Sequence, residues 1–519
     1  MNILYTIRRA NQLFGDHAAI VHESGNITYR DFYRATKRSA RFLLDHLKRG
    51  DRAAVLMLNR PEYFELYFAT AISGVVIVPL NIRWGMNDFV FSLNDSESTM
   101  LIVDERFAPL VPELLKQCPS LKTVVYAGDG GSPEGMLDYR SHVKAAPEIV
   151  DIREPEPDDL AGLFYTSGTT GGPKAAMLSH GNLYANAACI LLSGFPQSSV
   201  YLHAAPMFHL ADIGLLYLCV MQGTSHAFIK AFDPEECLKA IERYSVTSVT
   251  LVPTMISLLV NHPRFRGYDT SSVRTMLYGA SPMPLTLLHR TMELFPQCDF
   301  VQAYGMTEMS PVITILEPEH HRRQWPEGQF NPVMSGGRPA PGVEARVVDD
   351  QDNDVPVGTP GEIIARGANR MLGYWKRDDV NREVLRGGWM HTGDMGCFDD
   401  RGFLYIMDRK KDMIKTGGEN VYSPEVEATL VCHQGVLEAA VIGLPCERWG
   451  EKIRAVVVLR PGVCATEEEL IAFCRAQLTH FKCPTSIAFT DTLPKGGTGK
   501  VQKNVLRERF SIQAAATIS

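Results

Sequence analysis

Residues 165–180 read YTSGTTGGPKAAMLSH, a run of hydroxyl groups and glycines that ends in Pro173 and Lys174. Thr166, Ser167, Thr169 and Thr170 supply hydroxyl donors, and Gly168, Gly171 and Gly172 leave room for backbone N–H groups to turn toward one anion. Lys174 adds a cation. This is phosphate chemistry, yet it is not the nucleotide loop G-x-x-x-x-G-K-[ST], whose last hydroxyl binds Mg2+. Aligned on Lys174, Gly168 takes the first glycine position, but Pro173 stands where the second glycine belongs and Ala175 replaces the hydroxyl residue. The helix-like stretch LSHGNLYANAACILL follows, and its N-terminal dipole is expected to favour the same anion. A plain Ser/Thr/Gly linker is the competing reading; a strand before the loop and a helix after it argue against that.

Five further stretches carry groups that a nucleotide or an acyl group would need. QAYGMTEMS (302–310) holds Tyr304, Gly305, Thr307 and Glu308; Thr307 could equally cap a helix with Glu308 in its first turn. YGASPMP (278–284) offers Gly279, Ala280 and Ser281, small enough to admit a flat base beside the backbone, or to make an ordinary strand-to-helix turn. GGWMHTGDMG (387–396) places Asp394 after a tight turn, and one carboxylate can accept two hydroxyls at once. DRKKDMIKTGGENVYSPEVE (408–427) begins with Arg409 in a run of charges that would otherwise be a solvated loop. PKGGTGKVQK (494–503) carries Lys500 between glycines, where lysine is usually only solvated.

The first motif resembles the AMP-binding signature of the adenylate-forming superfamily: acyl-CoA synthetases, aryl-CoA ligases, luciferases and adenylation domains. The other motifs follow in that family's order over about residues 20–505. The resemblance implies a carboxylate that attacks the α-phosphate of ATP and expels pyrophosphate to leave an acyl-adenylate, and a thiol that then attacks the acyl carbon and expels AMP. It implies that Thr166, Ser167, Gly168, Thr169, Thr170, Gly171 and Lys174 hold phosphates, that Gly279, Ala280 and Ser281 border adenine, and that Tyr304 stacks on it beside Gly305. Thr307 would bond the α-phosphate and Glu308 would hold Mg2+, an ion that takes one or two protein carboxylates and draws other ligands from phosphates. Asp394 and Arg409 would take the ribose, and Lys500 would meet the reacting carboxylate and α-phosphate. For the thiol step, Lys411 falls at the hinge position, Gly417 and Gly418 line the pantetheine path, and Trp449 of CERWGE neighbours that arm, with core packing an equal reading for Trp449.

HAAPMFHLADIG (203–214) is similar to the family's Pro-x-Phe-His element. His209 would position the substrate carboxylate, which needs no general base because it is already ionised at neutral pH. Ala205, Ile213, Ala303 and Met309 would join His209 in an apolar acyl pocket. An aliphatic or aromatic acid suits them better than an amino acid, whose ammonium would want a buried carboxylate; Asp212 is the one candidate for that charge. The lack of an obvious wall suggests a medium or long chain, with aryl acids open.

These motifs need a scaffold that holds strand ends together. Helical and strand patterns alternate through the first half: a helix within 27–48, strands at 52–58, 99–105, 122–128, 248–254 and 273–281, and a buried helix entering a strand over 67–80. That rhythm predicts an α/β protein with a large domain of helix-covered sheets. From residue 342 the alternation around turn residues predicts a small antiparallel β unit near 340–408. We place a large domain at 1–410, including that unit, and a small α+β domain at 411–519; mobility of the small domain follows from the resemblance alone. Residues 128–136 and 155–159 read as a surface loop and an acidic turn.

Composition sets the outer bounds. The 519 residues are 45% hydrophobic and 21% charged, which fits a globular chain of more than one domain. The net charge of −7 gives no global field for nucleic acid. Eleven scattered cysteines without a C-x-x-C pair predict buried thiols in a reducing, cytoplasmic setting. No apolar run reaches the ~20 residues of a membrane helix. The expected activity is an acid–thiol ligase using ATP, Mg2+ and coenzyme A on a small carboxylic acid. An acyl carrier protein's phosphopantetheine is the alternative acceptor, a luciferase-like monooxygenase a second alternative, a regulator without catalysis a third. A homodimer and peripheral membrane contact are left open.

Overall fold

A computed structural model describes residues 1–166, 173–325, 330–495 and 501–516. Their contacts divide the chain into two units, 1–345 with 365–391, and 346–364 with 392–519. The first unit contains two large sheets, one of nine strands and one of eight. In the nine-stranded sheet, Ala18–Ile20, Ser225–Phe228, Val200–His203, Ser248–Leu251, Thr275–Gly279 and Asp299–Gly305 run parallel, and Val312–Leu316 and then Arg338–Pro339 add antiparallel strands. In the eight-stranded sheet, Val76–Pro79, Arg52–Leu56, Met100–Val103 and Thr123–Tyr126 are parallel. Leu160–Thr166, Lys174–Ser179 and Gly373–Tyr374 extend it as an antiparallel meander.

The expected alternation is therefore present, and its cause is visible in the burial. Short runs such as Met100–Val103 are buried at every residue, as strands covered on both faces require. Val55 and Ile102 of one sheet share a single apolar core with Tyr201 and Val301 of the other. The helix Pro61–Ser73 lies in that core, with ten of its 13 residues buried, and the 67–80 run passes from it into Val76–Pro79. Among the described residues no helix is long and apolar enough to cross a membrane.

The second unit has its own core. Val436–Cys446 and Gly450–Leu459 form a long antiparallel hairpin whose faces alternate. Val441, Ile453, Ala455 and Val457 face Val426, Leu430 and Leu470, while Ala440, Ile442 and Val456 face Leu506 and Phe510. Contacts also assign most of the predicted small β unit here: a four-stranded sheet of Val343–Val348, Gly361–Gly367, Met390–Phe398 and Leu404–Arg409. The expected boundary at Lys411 thus lies inside this unit. The physical reason is Asp408, whose carboxylate accepts both the N–H and the hydroxyl of Ser423 and ties the sheet to the following helix.

The cysteines follow expectation in part. Eight are buried, but in the smaller unit Cys432 and Cys464 are exposed and Cys446 partly so: Cys432 follows a helix, Cys446 ends a strand and Cys464 lies in a loop.

Candidate active site

Two paired strands flank the glycine–hydroxyl segment in sequence. Leu160–Thr166 and Lys174–Ser179 pair antiparallel up to Thr166 opposite Lys174. Ser167, Gly168, Thr169, Thr170, Gly171 and Gly172 lie outside the described residues, as does Lys500. One expectation changes. The helix His180–Leu192 does not begin at the loop; six strand residues intervene, about 20 Å at ~3.3 Å per residue, so its dipole cannot serve an anion there. That helix is capped instead by Ser179 and Asn182 in a capping box. The sequence pattern started the helix at Leu178 and left the strand Lys174–Ser179 unassigned, because six residues are too few to separate the two periods.

Glu308 is the best-defined acidic group. It is buried, in the short turn Thr307–Met309 just beyond the strand Asp299–Gly305. The cap of that turn is Met306 and makes no side-chain bond, so Thr307 is not a capping residue. Tyr374 Oη donates to Glu308 Oε1 at 2.6 Å, and Lys174 Nζ stands 5.7 Å from the centre of the Tyr374 ring. One tyrosine thus links the turn of one sheet to the base of the loop on the other. Among the described residues Glu308 forms no ion pair. Asn369, fully buried, holds the turn from behind by donating to the carbonyls of Met309 and Val312 at 2.7 Å each. Asn186 spans to the same turn, accepting from Val312 N and donating to Gly214 O. Tyr374, Asn369 and Asn186 have no spacing signal in the sequence; each acts on residues tens of positions away.

Two predicted segments are brought side by side. Thr275–Gly279 and Asp299–Gly305 are neighbouring parallel strands with Gly279 opposite Ala303, so 279–281 and 303–305 share one carboxyl edge. That is where ligands bind in open parallel sheets. At Gly305 a Cβ would sit 1.8 Å from Pro311 O, so no other residue fits. Ala280 has φ +66° although it is not glycine. Such strain costs about 1–2 kcal/mol and tends to gather at functional sites.

His209 is half-buried and caps the helix Leu210–Gln222, its Nδ1 accepting from Ala211 N at 3.1 Å. Accepting at Nδ1 leaves the neutral ring with its proton on Nε2. Ala205, Ile213 and Met309 are buried and Ala303 partly so; Ile213, Ala303 and Met309 pack in the main core. Asn59, which the sequence reading missed, clamps this segment by donating to His203 O and Ala205 O and accepting from Met207 N. Asp212 is unavailable to a substrate ammonium: it is fully buried against His203 Nδ1 at 2.6 Å, and His203 Nε2 meets His226 at 2.9 Å. Burial, then His203 beside it, holds His226 well below the usual histidine range.

The smaller unit holds the second half of the predicted set. Asp394 and Arg409 stand opposite each other on paired strands, with Arg409 Nε 2.6 Å from Asp394 Oδ1. Asp394 N donates to Thr392 Oγ1, which itself donates to Ile363 O, so the carboxylate's backbone is fixed from below. Lys411 is exposed. Trp449 is 51% exposed, which excludes core packing. Its carbonyl accepts from Gly417 N at 2.8 Å, and the Arg448 guanidinium covers its ring. Gly418 has φ +85° and nothing near its missing side chain, so any other residue there would be strained.

Among the described residues no group of three or more His, Cys, Asp or Glu forms a metal cage. A single hard carboxylate such as Glu308 suits Mg2+ when phosphates provide the other oxygens.

Fold and site together define an adenylate-forming enzyme. Residues 7–375 match the AMP-binding enzyme family and residues 425–500 the AMP-binding enzyme C-terminal domain. The chain belongs to the AMP-binding enzyme family and is an acid–thiol ligase of the adenylate-forming class, whose cofactors are ATP, Mg2+ and coenzyme A. It is 39% identical over 510 residues to a feruloyl-CoA synthase of Amycolatopsis sp., covering 98% of each chain. It is 33% identical over 499 residues to the fatty acid–[acyl-carrier-protein] ligase ScoC of Streptomyces coeruleorubidus, covering 95% of this chain and 93% of that one. The crystal structure of ATP-bound MatB from Rhodopseudomonas palustris superposes with TM-score 0.87 at 30% identity, over 98% of this chain and 99% of that one.

Proposed function

We propose that the protein makes an acyl-CoA from an aryl acid of the cinnamate type by way of an acyl-adenylate, with medium- or long-chain fatty acids as the second substrate class. The observation that carries the adenylation chemistry is Glu308, a buried carboxylate joined through Tyr374 to Lys174 at the base of the hydroxyl-rich loop. The aryl preference is supported by the similarity to a feruloyl-CoA synthase and by the apolar set Ala205, Ile213, Ala303 and Met309. Burial of Asp212 against His203 argues against amino acids.

In this reading Lys174 and the loop 166–171 hold phosphate charge, Thr307 bonds the α-phosphate, and Glu308 offers oxygen to Mg2+. Tyr304 and Gly279–Ser281 border adenine, and Asp394 with Arg409 takes the ribose. His209 orients the acid. Lys500 offsets charge as pyrophosphate leaves. Gly417, Gly418 and Trp449 serve the thiol, and the chain turns at Lys411 between the two half-reactions. The exposure of Trp449 supports its part, since a large aromatic left in solvent is available to a ligand arm. The similarity to ScoC supports carrier-protein phosphopantetheine as the second acceptor.

The test is ATP-dependent pyrophosphate release over C2–C18 and aryl acids, with coenzyme A or holo-carrier as acceptor. Release that is strongest with 4-hydroxycinnamate-type acids and turns over with coenzyme A is expected. Faster turnover with fatty acids and holo-carrier would replace both choices. Lys500→Ala should cut pyrophosphate release about 100-fold or more yet spare thiolysis of supplied acyl-adenylate; equal loss in both would remove Lys500 from this role.

A further inference from the structure

The nucleotide role proposed for Asp394 and Arg409 depends on where the strand Leu404–Arg409 ends, and a chain of buried and part-buried polar groups runs to that end. Lys503, the first residue of the helix Lys503–Ala516, points its Nζ at two acceptors: Glu427 Oε1 and Ser423 Oγ, each at 2.6 Å. Ser423 is fully buried and donates its hydroxyl and its N–H to Asp408 Oδ2, at 2.5 and 2.7 Å. The other oxygen of Asp408 accepts Arg409 N at 2.7 Å. Arg409 then reaches Asp394 at 2.6 Å. Four segments distant in sequence thus meet in one line of hydrogen bonds within the smaller unit.

The donors and acceptors are matched along this line. A serine hydroxyl has one proton and two lone pairs. The Lys503 ammonium occupies a lone pair, which leaves the proton for Asp408. Glu427 is held in place by Val441 N at 2.8 Å, and burial raises it while Lys503 opposes that rise. Lys503 and Glu427 side chains are 13% and 21% exposed, so solvent screens them weakly.

We infer that Lys503 is a positioning residue for nucleotide binding, acting through Ser423 and Asp408 to hold Arg409 in register with Asp394. It touches no substrate. The inference rests on the proposed nucleotide role of Asp394 and Arg409.

The experiment measures KM for ATP and kcat in pyrophosphate release, with the melting temperature of each full-length variant. Lys503→Met alone strands a buried carboxylate, so it is paired with Glu427→Gln, which removes that charge. The paired variant should raise KM for ATP about tenfold with kcat within about threefold, and Lys503→Arg should keep KM within about threefold of the parent. Ser423→Ala, which deletes only the relay hydroxyl, should raise KM for ATP about threefold and covers the case in which the paired variant does not fold. A lower melting temperature with unchanged KM for ATP in either variant would make the network purely structural and overturn the inference. Asp394→Asn run alongside separates the two layers: if it raises KM for ATP while the Lys503 and Ser423 variants do not, the positioning role alone fails. If Asp394→Asn leaves KM unchanged, the nucleotide reading fails and takes the inference with it.

Discussion

Glu308 and Asp394 are both buried carboxylates at the end of a motif, but their surroundings differ in kind. Asp394 lies 2.6 Å from a guanidinium, so much of its charge is already balanced. Among the described residues the Glu308 side chain bonds only to a neutral hydroxyl, and Lys174 Nζ stands 5.7 Å from the centre of the ring that carries that hydroxyl. A balanced carboxylate accepts hydroxyl donors well and attracts a divalent cation poorly. A carboxylate that keeps its charge and a free oxygen does the reverse. The contrast supports the proposed metal role of Glu308 and the proposed ribose role of Asp394.

Exchanging the expected phenotypes of these two residues would break the comparison most sharply. Glu308→Gln should lower Mg2+-dependent pyrophosphate release by about 100-fold or more and shift the Mg2+ titration to higher concentration. An unchanged titration would place the ion elsewhere. Asp394→Asn should leave the Mg2+ titration alone and raise KM for ATP about tenfold, the loss of one charged hydrogen-bond acceptor worth ~1.5–3 kcal/mol. Tyr374→Phe removes only the hydroxyl that donates to Glu308 and keeps the ring beside Lys174. It should slow adenylation about three- to tenfold with little change in KM for ATP, as a bond of ~1–2 kcal/mol predicts; an effect as large as that of Glu308→Gln would make the tyrosine more than a linker.

A third carboxylate calibrates the comparison. Glu65, on the helix Pro61–Ser73, has no cation bonded to it among the described residues; burial raises it to about 7, against hydrogen bonds from Ser39 and Tyr139 that lower it. Because the folded value lies above the unfolded one, its contribution is fully present below about 4.5 and is lost as pH rises through about 7. Glu65→Gln should therefore flatten the fall of melting temperature between those limits, by a few degrees at most. An identical slope in parent and variant would show that Glu65 does not titrate there. Glu105 behaves oppositely: burial raises it, but Lys230, Arg60 and backbone N–H groups outweigh that and hold it at about 2.

How far the sequence could be read depends on separation. Thr166 with Lys174, Gly279–Ser281 and Thr307–Glu308 stood in short motifs whose residue types announce anion, base and metal chemistry. Their scaffold was legible because buried parallel strands leave unbroken apolar runs such as Met100–Val103. The strand Lys174–Ser179 was not picked out before the helix, whose start was read two residues early at Leu178, and the surface position of Trp449 could not be told from core packing. Tyr374, Asn369 and Asn59 carried no signal, since each bonds a partner between about 60 and 150 residues away.

By itself the sequence determined which chemical groups are present and which lie within one turn or one strand end of each other, because local spacing and backbone preference act over a few residues. It determined the alternation of helix and strand for the same reason. The tertiary structure alone decided which groups share an environment: Tyr374 between Glu308 and Lys174, Arg409 across from Asp394, and Asp212 enclosed with His203. Those pairings arise from strand register and core packing between distant segments, and they set the charge each group presents to a ligand.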